Sequence, residues 1–76
     1  MMETFAVVLV ESTSQAMRVE HILSTGGIPC KLIPVPRVLS SNCGNCVRIA
    51  PDDIESARDV LARNKMNELD IQMVTL

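Results

Sequence analysis

"IPCKLIPVPRVLSSNCGNCVRIA", residues 28–50, decides how this chain folds. Its first part, "IPCKLIPVP" (28–36), reads as a strand. Ile28, Cys30 and Leu32 alternate with Lys31. Pro29, Pro34 and Pro36 cannot donate to a ladder, so this strand belongs at a sheet edge or is short. "RVLSSNCGN" is a loop, and "CVRIA" (46–50) alternates again as a strand. Two strands are thus joined by a loop with no helix between them.

Working outward, each flank supplies one strand and one helix. Upstream, "TFAVVLV" (4–10) is apolar and β-branched, as a central strand would be. Ser12 with Gln15 three residues later predicts a capping box and a helix start. Ala16, Val19, Ile22 and Leu23 recur at helical spacing, and Gly26-Gly27 predicts a glycine cap. Downstream, "PDDIESARDVLARNK" begins with Pro51 near the first helical position and acids in the first turn. Ile54, Ala57 and Leu61 line one face, and Arg63 and Lys65 sit at the C-terminal end. "LDIQMVT" (69–75) alternates as a fourth strand. The order β-α-β-β-α-β predicts an α+β, ferredoxin-like sandwich with one antiparallel sheet and two helices on one face.

The chain has 76 residues and reads as a single domain over 1–76. At this size a core supplies only about 3–5 kcal/mol of net stability, which favours a homodimer. The strand at 4–10 leaves Ala6, Val8 and Val10, or their alternates, on the face without helices, where a second copy could dock. Net charge is −2, with one Phe and no Tyr or Trp. A nucleic-acid binder needs a basic face or stacking aromatics, so that class is disfavoured. The N-terminus shows no basic region, and its apolar run is too short for a membrane span. Those features predict a cytoplasmic protein that avoids membranes.

Three cysteines in a reducing compartment point to free, redox-active or metal-bound thiols rather than a disulfide framework. Cys30 alternates with Ile28 and Leu32 and reads as a buried packing thiol. Cys43 lies in a polar loop before Gly44, where burial is not expected, so a use for it is. Cys46 opens the third strand and reads equally as a resolving partner for Cys43 or as a plain strand residue. A thioredoxin-type CxxC stands at the start of a helix; this one runs into a strand. His21 is mid-helix, the acids of "PDDIE" are helix-start acids, and one chain lacks the fourth cysteine of an iron–sulfur cluster. There is no glycine-rich phosphate loop and no supported Ser/His/Asp arrangement, so no cofactor and no enzyme class is indicated.

The predicted topology brings Ser12–Ser14, the loop from Arg37 to Cys46 and residues 64–67 to one end of the sheet. A helix N-terminus there, with Arg37 and Lys65, would favour a thiolate on Cys43.

"GGIPCKLIPVPRVLSSNCGNCVRI", preceded by one strand and helix, resembles a family of small bacterial proteins described as selenium/sulfur carrier-like. The matching features are the Gly-Ile approach to the second strand, "IPVPR", two serines, then Cys43-Gly44. The resemblance implies a non-enzymatic carrier holding a persulfide or perselenide on Cys43. It also implies a sulfur or selenium donor, such as a cysteine desulfurase, and an acceptor protein. The family pattern does not extend to Cys46; a Cys43–Cys46 disulfide that releases the cargo is an expectation from this sequence alone. Two alternatives stay open: a CxxC soft-metal protein binding Cu(I) or zinc through Cys43 and Cys46, and a small regulatory or interaction module. The reading also predicts that serine at Cys30 affects stability more than it affects sulfur loading or release.

Overall fold

The structure is a computed structural model and describes residues 3–39, 44–66 and 68–75. The elements run β1 (Thr4–Leu9), α1 (Thr13–Thr25), β2 (Cys30–Pro34), β3 (Asn45–Ile49), a 3-10 turn (Pro51–Asp53), α2 (Ile54–Arg63) and β4 (Asp70–Thr75). The sheet is antiparallel in the order β2-β3-β1-β4. With two helices, this is the expected ferredoxin-like βαββαβ arrangement. The proline-rich β2 is an edge strand of five residues. It is shorter than the expected 28–36, because the Ile28 amide is used elsewhere, in a helix cap.

Both helices cover the same face. Ala16, Val19 and Leu23 of α1 and Ala57 and Leu61 of α2 share one buried cluster with Ala6, Val8, Val47, Ile49 and Ile71 of the sheet. Alternation makes that possible: Ala6 lies opposite Ile49, and Val8 opposite both Val47 and Ile71.

The ends of α1 follow from its sequence. The Ser12 hydroxyl accepts from the Gln15 amide at 3.1 Å. The Gln15 side chain returns one residue further than a capping box requires, accepting from the Glu11 amide at 2.8 Å. At the other end Gly27 takes φ +82. The Ile28 amide donates to Leu23 O at 2.9 Å and the Gly27 amide to Ser24 O at 3.1 Å. That is a Schellman cap, completed by apolar Leu23 and Ile28 in one cluster.

The end of α2 repeats the motif without glycine. The Met66 amide donates to Leu61 O at 2.8 Å, the Lys65 amide to Ala62 O at 3.1 Å, and Lys65 holds φ 61. A side chain in the left-handed region costs about 1–2 kcal/mol. Lys65→Gly is therefore expected to stabilise the fold by about 1 kcal/mol, after the extra backbone entropy of glycine is offset. Thermal melts should show a rise of roughly 4–8 °C. Gly27→Ala should shift the melt in the opposite direction. An unchanged or lower Tm for Lys65→Gly would show that the lysine side chain contributes more than its backbone costs.

The face without helices is not open. Phe5, Val7, Cys46 and Val74 form a second buried cluster there, with Leu9, Ile33, Val35 and Leu39 packed against it. Val35 and Leu39 come from the connection after β2, which folds back across the sheet. The Arg48 guanidinium lies 4.1 Å from the centre of the Phe5 ring and pairs with the Glu3 carboxylate. Val7 and Cys46 have no exposed surface at all. The motive for a dimer across this face therefore falls away: the residues alternate as expected, but the chain covers them itself.

Candidate functional site

The connection between β2 and β3 begins as a tight structure. The β2–β3 ladder ends with Pro34 opposite Asn45, and the Val35 amide donates to Gly44 O at 3.0 Å. A turn follows at 36–39, closed by the Leu39 amide on Pro36 O at 3.0 Å. It returns Leu39 to the helix-free face, beside the cluster that contains Cys46. Arg37 and Val38 at the tip of that turn are exposed, Val38 at 70%. Cys43, the expected carrier thiol, lies outside the described residues, as do residues 40–42. Its neighbour Gly44 is exposed, and a Cβ built there would meet nothing within 4 Å. Nothing among the described residues demands glycine at 44.

The register places several elements at this end of the sheet. Leu9, the last residue of β1, lies opposite Cys46 and Asp70, the latter the first residue of β4. The start of α1 follows β1, and the end of α2 precedes β4. Ser12, the hairpin connection and Asn64–Lys65 thus belong to one end, as their order in the chain requires. The Ser12 hydroxyl already takes up the Gln15 N–H, so one of the open donors at that helix start is spent within the chain.

The two described cysteines, Cys30 and Cys46, lie on opposite faces of the sheet. Cys46 points to the helix-free face and is fully buried among Phe5, Val7 and Val74. Its Sγ lies 4.0 Å from Pro34 O. Cys30 points to the helix side at the other end of β2, opposite Ile49. Four residues of strand, about 13 Å, separate it from Pro34. It is half-buried rather than buried; its Sγ donates to Glu20 O at 3.4 Å and lies 3.4 Å from Ser24 Oγ. Serine at Cys30 can keep both contacts, whereas Cys46 sits in an apolar cluster. Of the two described cysteines, Cys46 is the fully buried one, while Cys30, expected to be buried, packs half-buried against the helix-side cluster. Alternation showed which way Cys30 faces. It could not show that 35–39 folds over Cys46, because nothing in the pattern of a loop specifies where it packs.

Among the described residues no three His, Cys, Asp or Glu side chains are placed to hold a metal ion. His21 is exposed, in a groove between the helices with Arg63 and Asn64. No helix among the described residues is long and apolar enough to cross a membrane.

The fold and the hairpin together define a small ferredoxin-like domain that carries a cysteine-glycine pair on a sheet-end connection. The family model described as "Putative Se/S carrier protein-like" matches residues 5–72, and the chain belongs to that family. No curated protein and no solved structure matches it.

Proposed function

We propose that this protein is a single-domain, non-enzymatic sulfur or selenium carrier whose cargo rides on Cys43. The family membership over 5–72 is the observation that carries the reading. Gly44 adds support: it is exposed and no described residue crowds it, so a donor or acceptor can bring its own backbone close. The exchange is a thiol displacement. The Cys43 thiolate attacks the outer sulfur of a donor persulfide, R–S–SH. A new S–S bond forms on Cys43, and R–S⁻ leaves with the electron pair of the broken bond. An acceptor thiolate then attacks the outer sulfur of Cys43–S–SH and regenerates the Cys43 thiolate. No net oxidant is consumed.

Burial of Cys46 favours this intermolecular release over a Cys43–Cys46 disulfide. A resolving thiol must meet the attacked sulfur, and Cys46 has no exposed surface, lying in the cluster against which Val35 and Leu39 pack. The test is intact mass of protein purified without reductant, then incubated with a cysteine desulfurase and cysteine. A mass gain of one sulfur atom, removed by dithiothreitol, is expected. An unmodified chain after incubation, or a stoichiometric bound metal in place of sulfur, overturns the carrier reading.

A further inference from the structure

The two edges of the sheet are built differently. β2 is blunted against pairing by Pro34, by Pro29 just before it and by an outward Lys31. β4, on the other edge, has β1 as its one strand neighbour among the described residues. Its six residues, DIQMVT, include neither proline nor lysine. An edge without such devices is a template for another strand.

The helix side of that edge carries a knob beside a hole. Ile71 lines an apolar groove of about 220 Å³ with Leu61, Ala62, Met66, Leu69 and the Arg58 side chain. Met73 is the next residue on the same face, opposite Ala6, and stands 50% exposed.

A two-fold axis perpendicular to the sheet keeps each face on its own side. Directly opposed residues share a face in an antiparallel pair, so the central registers set either Gln72 or Met73 opposite its own copy. The Met73 register stacks the two knobs together and leaves both grooves empty. The Gln72 register sets each Met73 against Ile71 of the second copy, beside that copy's groove. Both registers keep the two Asp70 carboxylates about 14 Å or more apart along the edge, beyond the ~8 Å screening length at physiological salt.

We propose that two copies of this chain pair β4 to β4, antiparallel, with Gln72 opposite Gln72 and each Met73 filling the other copy's groove. The result is one eight-stranded sheet with all four helices on one side. It leaves the hairpin connection outside the interface and does not depend on the carrier reading.

Sedimentation velocity of the full chain over a concentration series tests it. A reversible dimer is expected at high micromolar concentration. Met73→Lys alters an exposed side chain, so it should retain the native circular dichroism spectrum while weakening the dimer at least tenfold. Opposed residues lie about 4.5–5.5 Å apart, within disulfide range. Oxidised Gln72→Cys should therefore yield a 72–72 cross-link by peptide mapping, and Met73→Cys far less. A wild-type chain that stays monomeric throughout, a dimer that survives Met73→Lys, or cross-linking at Met73→Cys in preference to Gln72→Cys each overturns the proposal.

Discussion

Cys43→Ser should abolish sulfur loading from a desulfurase, while Cys30→Ser and Cys46→Val should load normally. The expected effect is all or none, because the hydroxyl that replaces the thiol is not ionised near neutral pH and does not form a stable S–S analogue. The proposal rests on Cys43 because the other two thiols are hindered. Cys46 has no exposed surface, and Cys30 is half-buried at the far end of β2, held between Ser24 and Glu20. Neither is offered to a donor enzyme in the native fold. The measurement is intact mass after incubation with desulfurase and cysteine, followed by peptide mapping of the modified residue. Retained loading in Cys43→Ser would move the cargo to another thiol and end the proposal as stated. Loading in wild type that is lost in Cys46→Val but kept in Cys30→Ser would instead restore a direct part for Cys46.

Cys46→Ser should destabilise the protein by about 2 kcal/mol, the cost of setting a hydroxyl in an apolar cluster. A domain of this size has roughly 3–5 kcal/mol in total, so the variant keeps only about half. Its Tm should fall by roughly 10 °C. The physical reason lies in the neighbours. Phe5, Val7 and Val74 surround the thiol, and Leu9 and Ile33 flank it on the adjoining strands. The shorter bond to oxygen also draws the group away from the Pro34 carbonyl, already 4.0 Å distant from sulfur. Cys46→Val, which stays apolar, should cost under about 1.5 kcal/mol. Native iodoacetamide labelling provides an independent readout. Cys46 should stay unmodified until denaturant is added, when all three cysteines react. Equal labelling of Cys43 and Cys46 in the native protein, with a normal melt for Cys46→Ser, would mean that 35–39 does not cover the strand in solution.

Most of the architecture was legible from residue patterns. Ser12 and Gln15 marked the start of α1, and Gly26-Gly27 marked its end, because caps are local devices whose partners lie within a few residues. The prolines around β2 placed it at an edge, since a missing N–H is a property of the residue alone. The strand-loop-strand reading of 28–50 then left one simple fold for the β-α-β-β-α-β order. The left-handed backbone of Lys65 was not legible, because such a lysine carries no sequence signal; its φ is imposed by the cap that ends α2.

The sequence by itself thus determined the element order, the edge position of β2, the helix-facing side of Cys30 and the identity of the cysteine-glycine pair at 43–44. Only the tertiary structure decided what lies on each face. Val35 and Leu39 pack against the cluster of Phe5, Val7, Cys46 and Val74, turning an expected dimer surface into core and burying a thiol that the sequence left open between resolving partner and strand residue. Strand and helix periodicities are local and repeat along the chain. The landing place of a connection depends on which distant apolar surface remains uncovered, and that surface exists only once β1, β3 and β4 have assembled.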